Sequence, residues 1–301
     1  MAARTLFKSS PVSAGRTATA VEITPRHAGW KYVSFAVRHV APAKPWVTNT
    51  ARQECCLVLL RGTCTVEYCH SGRTHTATLG PRANVFSSYP HAIYLPPDTR
   101  VRVVATEPTE LADGRAPARA TLPPRVIRPE DCGLEVRGGG NATRQIVDIM
   151  PPSFPADRLL VCEVYTPSGN WSSYPPHKHD VNRPPAEVKL EEIYYYRFSD
   201  GDLSTRRASA SPADAYGIQR LYNKRTQQTL TVHHGDVVLI RDGYHPFVSA
   251  YGYDAYYLNV LAGTRRSMAA SDDPRYAAFR TTWPAPDPRV PMVPPPSPSH
   301  R

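Results

Sequence analysis

Apolar and polar residues alternate along much of the chain, and this period of two is typical of β-strands with one buried face. The clearest example lies at residues 30–40, where Val33, Phe35 and Val37 share one parity. Residues 54–68 form two more β-rich runs around a Gly, and residues 91–105 form two around a Pro-Pro-Asp turn. The pattern therefore predicts a compact all-β domain that extends to about residue 120.

The second half of the chain repeats this organisation. Residues 144–149 and 159–166 have the composition of strands, and a Gly-Asp pair leads the strand at residues 235–240 much as a Gly-Pro pair leads the segment after residue 80. The likeness is one of pattern rather than identity, and it predicts two similar β-barrels in tandem. Residues 107–125 are rich in Pro, Ala and Arg and lack periodicity, so we interpret them as a surface connector.

The two ends of the chain differ from the barrels in composition. Residues 1–28 are polar and poorly patterned, which predicts a flexible segment. Residues 284–301 are so rich in Pro that they are predicted to be a disordered tail. The predicted division is therefore the flexible segment at 1–28, a first barrel at 29–125, a second barrel at 126–283, and the tail at 284–301.

Charge and cysteine content narrow the range of partners. The formal net charge is +10, but Arg is scattered and no run of five Lys or Arg occurs, so no nucleic-acid partner is expected. The six Cys form no C-x-x-C pair, and neither a secretory leader nor an apolar run of about 20 residues is present. These features predict reduced thiols, a cytoplasmic location and no membrane partner.

The second barrel carries a set of residues with the chemistry of a metal site. His177 and His179 occupy alternate positions of an extended segment and would project from one face, and His245 follows a tight Asp-Gly turn about fifty residues beyond the next strand. That strand carries Glu191 and Glu192, of which only one can face the histidines. We favour Glu192. Three imidazoles and one carboxylate suit a divalent first-row metal with positions left open for substrate oxygens.

Four blocks of the second half carry a resemblance to a known family: GNWSSYPPHKHD at residues 169–180, LEEIYYYRF at 190–198, GDVVLIRDGYHP at 235–246 and GYDAYYLNVLAG at 252–263. The order H-x-H, Glu and G-x-H is similar to that of cupins. The blocks more closely resemble the bacterial 5-deoxy-glucuronate isomerases of myo-inositol catabolism, and the likeness extends to Gly29-Trp30 and Gly80-Pro81-Arg82. One departure is Arg241, where that family commonly has Pro.

The resemblance implies an all-β tandem cupin, or bicupin, whose first barrel is cupin-like but has no metal ligands. It implies that His177, His179, Glu192 and His245 bind Zn, Mn or Fe. It further implies the interconversion of 5-deoxy-glucuronate and 2-deoxy-5-keto-gluconate, a sugar-acid substrate and, because exposed strand edges pair readily, a homo-oligomer. The related 4-deoxy-5-ketouronate isomerases have a Glu directly before an alternating aromatic strand, which supports Glu192 over Glu191.

Such a reaction needs groups that move protons and groups that hold the sugar acid. The candidates for the general base are Tyr194, Tyr196 and Glu191, among which the sequence does not decide. The candidates for substrate binding are Gln219, Tyr222, Tyr257 and Arg265. Three alternative functions remain open at this point: a 4-deoxy-5-ketouronate isomerase, a cupin dioxygenase that uses Fe(II), and a non-catalytic sugar-binding bicupin.

Overall fold

The computed structural model describes residues 4–13, 15–199, 201–202, 207–208 and 212–297 of the chain. The first half contains, in chain order, β1 (Leu6–Phe7), β2 (Ala18–Ile23), α1 (Pro25–Ala28), β3 (Ser34–Val40), β4 (Trp46–Asn49), β5 (Gln53–His70), β6 (Arg73–Arg82), β7 (Ala92–Leu95), β8 (Arg100–Ala105), β9 (Thr109–Pro117) and β10 (Arg125–Ile127). None of the described helices is long and apolar enough to cross a bilayer.

The second half continues with strands and single 3₁₀ turns. The strands are β11 (Gly133–Arg137), β12 (Arg144–Met150), β13 (Leu160–Thr166), β14 (Trp171–Ser172), β15 (His177–Lys178), β16 (Leu190–Phe198), β17 (Gly201–Asp202), β18 (Arg207–Ala208), β19 (Tyr216–Tyr222), β20 (Gln227–His233), β21 (Val237–Ile240), β22 (Phe247–Ser249), β23 (Ala255–Gly263) and β24 (Ser271–Asp272). The 3₁₀ turns are Pro129–Asp131, Pro212–Asp214 and Ala277–Thr281.

The first barrel is organised around the long strand β5. Its first part lies between β7 and β9 in the order β10-β7-β5-β9-β3-β2, and its second part pairs with β6 and β8. The strand bends at Gly62, which has φ +95°, and a Cβ there would lie 2.6 Å from the hydroxyl of Thr109. Only Gly is compatible with this close approach, so the bend that closes the barrel depends on this residue.

Strand β9 corrects the interpretation of residues 107–125 as a surface connector, because it is a central strand between β5 and β3. The sequence of β9 does not show an alternation of apolar and polar residues, because charged side chains lie on its buried face. Asp113 is 2% exposed and accepts hydrogen bonds from Nε of Arg115 at 2.6 Å and Nε of Arg38 at 3.2 Å. Buried charges that satisfy one another look like surface residues in a sequence.

The second barrel consists of two facing sheets. The larger has the order β1-β21-β16-β23-β13-β12-β11, and the smaller has the order β14-β22-β19-β20. The inner faces of β16, β13 and β23 contribute an aromatic interior that includes Tyr194, Tyr196 and Tyr257. The outer faces of the same strands contribute Ile193, Tyr195 and Val260 to a core shared with the first barrel. Side-chain alternation thus gives each of these strands one face toward the lumen and one toward the neighbouring barrel.

The described part of residues 1–28 does not form the flexible segment that was predicted. Leu6 and Phe7 pair with Val238 and Val237 of the second barrel, whereas β2 pairs with β3 of the first. Arg241, the position of the family departure, donates through Nη2 to the carbonyl of Arg4 at 2.9 Å. The apolar pairs in this segment are too short to give a periodic pattern, but they complete the edge of a sheet.

The predicted disordered tail is also corrected over residues 284–297, which pack against β12. Val293 is fully buried. The side-chain amide of Gln145 donates to the carbonyl of Val293 at 2.6 Å and accepts from the N–H groups of Met292 at 2.7 Å and Val293 at 3.0 Å. Proline prevents helix formation here, but an extended chain whose polar groups are bound by one buried amide needs no helix.

A buried ion pair joins the two barrels at the centre of their shared core. Arg82 of the first barrel donates through Nη1 and Nη2 to the two oxygens of Glu163, at 2.8 and 2.9 Å. The hydroxyls of Tyr165 and Tyr256 donate to the same carboxylate at 2.7 and 2.9 Å. Both charged side chains have no exposed area, so each depends on the other for compensation.

Two further carboxylates clamp the barrels in a reciprocal manner. Glu54 at the start of β5 accepts three backbone N–H groups of the second barrel, from residues 157, 158 and 159, at 2.6 to 2.8 Å. Glu191 at the start of β16 accepts three from the first barrel, from residues 31, 32 and 33, at 2.6 to 3.0 Å. Charge-assisted bonds of this kind fix the relative orientation of the two barrels.

We predict that Glu163→Gln lowers the free energy of unfolding by about 3 kcal/mol, since it leaves the Arg82 guanidinium buried without a counter-charge. Urea denaturation of the purified protein measures the change. The control is Glu67→Gln, which removes an ion pair to Arg102 whose side chains are 40% and 47% exposed, and which should cost less than about 1 kcal/mol. Equal losses in the two variants would contradict the role assigned to the buried pair.

Candidate metal centre

Strand β16 separates the two adjacent glutamates onto opposite faces. Glu192 shares the lumen face with Tyr194 and Tyr196, and its side chain is 5% exposed. Glu191 lies on the other face, where its carboxylate is bound by the backbone of the first barrel. The structure therefore does not bring Glu191, a predicted candidate for the general base, to the histidines.

Three of the four predicted ligands converge in the lumen of the second barrel. The ligand atoms of His179, Glu192 and His245 all lie within 4.8 Å of one another, and all three residues are buried. The Oε2 atom of Glu192 is 2.7 Å from Nε2 of His179 and 3.5 Å from Nε2 of His245. These residues come from three separate segments, so the cluster depends on the folded barrel.

Backbone carbonyls orient the two buried imidazoles. Nδ1 of His179 is 3.2 Å from the carbonyl of Leu190, and Nδ1 of His245 is 3.0 Å from the carbonyl of Gly243. Because a carbonyl oxygen only accepts hydrogen bonds, each Nδ1 carries a proton. When the ring is neutral, its Nε2 therefore has a lone pair, and this lone pair faces Glu192. Nε2 of His245 is buried and has no hydrogen-bond partner among the described residues. Lone pairs and a carboxylate that converge in this way fit a cation.

The protonation of these groups supports the same arrangement. Burial lowers the pKa of His245 to about 4, which keeps this ring neutral. Burial also disfavours a charged His179, but the hydrogen bond to Glu192, the charge of that carboxylate and backbone hydrogen bonds together outweigh burial and raise the pKa of His179 above its ordinary value. Without a cation, a proton on His179 therefore compensates the carboxylate. A divalent cation would replace that proton, because metal ligands must be deprotonated.

His177 lies beside the cluster rather than within its 4.8 Å limit. Its ring centroid is 4.7 Å from that of His245, with the rings almost perpendicular. Burial, and after it the neighbouring imidazoles of His245 and His179, lower the pKa of His177 well below its ordinary value. The strand β15 that carries His177 is held by β24, where His177 pairs with Asp272.

Two of the predicted active groups are bound to each other behind the cluster. The hydroxyl of Tyr196 donates to the side-chain oxygen of Gln219. The amide nitrogen of Gln219 donates to the carbonyls of His245 at 2.7 Å and Pro246 at 3.1 Å. The pair therefore fixes the backbone that carries His245. The sequence could not separate this positioning role from the predicted roles in catalysis and substrate binding.

Two tyrosine hydroxyls line the lumen next to the cluster. The ring of Tyr194 lies 5.9 Å from that of His245 and stacks on Tyr257 at 4.5 Å. The hydroxyl of Tyr194 is 2.9 Å from Oγ of Ser173, and that of Tyr257 bonds to Oγ of Ser172. Burial raises the pKa of Tyr194 well above its ordinary value and that of Tyr257 to about 12. The sequence patterns did not indicate either serine; Ser172 ends β14, and Ser173 follows it before the H-x-H motif.

The remaining two substrate-binding candidates lie away from the three-residue cluster. Tyr222 is buried, and its hydroxyl donates to the carboxylate of Asp273 at 2.8 Å. Arg265 is exposed just beyond the end of β23. Neither residue is joined to the histidines by a contact in the described part of the chain. Arg144, which the sequence analysis did not consider, is buried in the lumen instead.

The first barrel uses the position equivalent to Glu192 differently. Cys55 follows the clamp residue Glu54 in β5, as Glu192 follows Glu191 in β16, and its thiol lies 3.4 Å from the carboxylate of Asp113. Within the described ranges, the second barrel holds the cluster of His and Glu that could bind a metal.

Comparisons with known proteins place this geometry in context. The chain matches the KduI/IolB family over residues 5–279. It is 40% identical over 271 residues to a 5-deoxy-glucuronate isomerase from Geobacillus thermodenitrificans, with 89% of this chain and 93% of the relative covered. The crystal structure of an IolB-like protein from Salmonella typhimurium LT2 is 34% identical, covers 92% of this chain and 99% of its own, and has a TM-score of 0.82.

A more distant structure supports the fold alone. An oxalate decarboxylase from Lactobacillus farciminis is 12% identical, with a TM-score of 0.64 over 94% of this chain and 92% of its own. Together with the two barrels described above, this likeness confirms the all-β tandem cupin fold predicted from the sequence.

We predict that the purified protein contains about one divalent metal ion per chain and that the double variant His179→Ala/His245→Ala contains almost none, since two of its ligands are removed. Elemental analysis measures the metal. The control is His91→Ala, a histidine of the first barrel, which should leave the metal content unchanged. Metal retained in the double variant, or lost in the control, would contradict the assignment of the site.

Proposed function

The chain belongs to the KduI/IolB family, and from this membership and the buried His/Glu cluster we propose that it is a 5-deoxy-glucuronate isomerase of inositol catabolism. It is an intramolecular oxidoreductase that converts 5-deoxy-glucuronate, an aldose acid, to 2-deoxy-5-keto-gluconate, the corresponding ketose acid. The observation that carries the proposal is the convergence of His179, Glu192 and His245 in a chain 40% identical to a protein of that name.

His177, His179, Glu192 and His245 are the proposed ligands of a divalent Zn, Mn or Fe ion. The orphaned Nε2 of His245 and the fixed Nδ1 protons support this set. His177 is included in this set because its ring contacts that of His245. When bound, such an ion supplies Lewis acidity to a carbonyl and a neighbouring hydroxyl.

The lumen side chains would handle the protons of the isomerisation. In this reaction a hydrogen leaves C2 of the aldose and one arrives at C1, while a proton passes between the two oxygens. Tyr194 is a neutral phenol at ordinary pH, faces the cluster and bonds to Ser173. It can therefore donate a hydrogen bond to a sugar oxygen and exchange a proton with it. Tyr257, stacked on Tyr194, supplies a second donor on the same wall.

Tyr196 and Gln219 act behind the site in this proposal, because their bond to each other holds the His245 backbone. Glu191 has no place in the chemistry, since its carboxylate is occupied by the first barrel. A homo-oligomeric assembly and a cytoplasmic location stay predictions from the sequence.

We predict that the protein interconverts 5-deoxy-glucuronate and its ketose. A chelator or Glu192→Gln should reduce kcat/KM by more than roughly 10–100-fold, which is the loss expected when a residue that only supports a metal ligand is removed. Chromatographic separation of aldose and ketose measures turnover, with His91→Ala as the control variant. Turnover that is insensitive to the chelator would contradict the proposal.

The three alternative functions predict different results. Turnover of 4-deoxy-5-ketouronate in preference to 5-deoxy-glucuronate would indicate the related isomerase. Oxygen consumption with Fe(II) would indicate a dioxygenase. Metal-dependent sugar binding with no turnover would indicate a non-catalytic bicupin.

We further predict that Glu191→Gln reduces stability rather than catalysis. It removes a carboxylate that accepts three backbone N–H groups, so the free energy of unfolding should fall by about 2 kcal/mol. The value of kcat should stay far from the roughly 100-fold loss expected when a general base is removed. Glu54→Gln, its counterpart in the first barrel, should behave alike in urea denaturation and turnover. Loss of kcat at unchanged stability in Glu191→Gln alone would restore Glu191 as a catalytic residue.

A further inference from the structure

Among the described residues, the second barrel contains a buried arginine without a counter-charge. Arg144 is 2% exposed and lies on β12 with the same parity as Ile146, which belongs to the lumen cluster with Tyr194 and Tyr257. Alternation therefore directs its guanidinium toward the lumen. Burial lowers the pKa of Arg144 to about 10, so the group is still charged at neutral pH.

The hydrogen bonds of Arg144 leave one edge of the guanidinium free. Nη1 donates to the carbonyls of Tyr174 at 3.0 Å and Ala142 at 3.3 Å. Nε and Nη2 have no hydrogen-bond partner, and no carboxylate lies within 4.0 Å of the group, among the residues that the structure describes. By contrast, the buried Arg82 has a two-point pair with Glu163. An uncompensated buried charge is unfavourable for folding, so its presence calls for a ligand.

Arg144 lies close to both the metal centre and a cavity. Its Nη1 group donates to the carbonyl of Tyr174, three residues before the proposed ligand His177. A cavity of about 480 Å³ is bordered by both of its carbonyl partners, Ala142 and Tyr174, and by Pro176 and Pro246. These prolines directly precede His177 and follow His245. The cavity thus adjoins Arg144 and the backbone that bears two of the proposed ligands.

We propose that Arg144 binds the carboxylate of the sugar-acid substrate through its free Nε and Nη2 edge. That edge presents two parallel N–H groups, which match the two oxygens of a carboxylate. The other end of the sugar would then face the histidines and Tyr194. This inference rests on the proposed function, because it assigns one end of that substrate. It makes Arg144 the residue that selects acids over neutral sugars.

Arg220 borders this cavity directly, but the structure argues against it as the group that binds the carboxylate. It is partly exposed, and its guanidinium stacks on the ring of Tyr222 at 4.2 Å from the centroid. A stacked, solvated arginine is already stabilised without an anion. Arg220 therefore serves as a matched control, since it is the same residue type and borders the cavity that Arg144 adjoins.

The test compares 5-deoxy-glucuronate with 5-deoxy-glucose, which has a hydroxymethyl group in place of the carboxylate. Metal-loaded wild type, Arg144→Gln, Arg144→Lys and Arg220→Gln are assayed for turnover and, by calorimetry, for binding. We expect Arg144→Gln to raise Kd and KM for the acid on the order of 100-fold, the effect of about two hydrogen bonds to a charged group. Binding of the neutral sugar, kcat and metal content should change little. Arg144→Lys should recover part of the loss, and Arg220→Gln should resemble wild type.

Several results would overturn the assignment. One is that Arg144→Gln still prefers the acid to the neutral sugar. A second is that Arg144→Gln weakens the binding of both sugars equally. A third is that Arg220→Gln abolishes the preference for the acid. If neither Arg144 variant folds, the wild type and Arg220→Gln still test the assignment. Equal binding of both sugars by the wild type would overturn it. A preference for the acid that persists in Arg220→Gln would support it. If wild type turns over neither sugar, the proposed isomerase function fails, but the calorimetric comparison still judges Arg144.

Discussion

The alternation of side chains along β16 is the constraint on which both halves of the molecule depend. Glu191 and Glu192 are adjacent, yet one clamps the first barrel and the other completes a cation site in the second. A shift of one residue in the pairing of β16 with β21 and β23 would exchange them. The register is protected because the shift would also turn Ile193 and Tyr195 out of the shared core. Apolar burial therefore specifies where the metal-binding carboxylate points.

The two barrels use equivalent strands with different polar interiors. In the first barrel, the charge of Asp113 is balanced by Arg38 and Arg115, so that interior needs no ligand. In the second, Glu192 faces His179 and His245, and Arg144 faces no carboxylate among the residues that the structure describes. One lumen thus contains a carboxylate that only a proton on His179 balances and a buried guanidinium without a counter-charge in the described part of the chain. A metal ion would complement Glu192, and the carboxylate of the sugar acid would complement Arg144. The proposed metal site and the proposed substrate thus fit the same lumen.

Sequence patterns predicted the features that follow from period two or from close motifs. They gave the tandem barrels, the convergence of His179 with His245, and Glu192 rather than Glu191 on the lumen face. They missed β9 because its inner face is ionic, and they missed β1 because a two-residue strand has no period. Arg144 is indistinguishable in the sequence from the scattered surface arginines, and only its burial without a counter-charge among the described residues sets it apart. Likewise, Gln219 and Tyr196 carry polar groups that suit a substrate, and their bond to each other becomes visible only in three dimensions.

The C-terminal segment shows why the barrel alone does not define the site. His177 belongs to a strand of two residues, which has too few hydrogen bonds to hold its own position. Its partner β24 comes from beyond the last barrel strand, and the N–H of Asp273 donates to the carbonyl of Pro176 at 2.8 Å. The carboxylate of Asp273 in turn holds Tyr222 and Arg275, and the chain then continues to Val293 in the shared core. The position of His177 beside the cluster therefore depends on a segment beyond the last barrel strand. The residues that follow this segment include part of the predicted tail, and they anchor it in the core that joins the barrels.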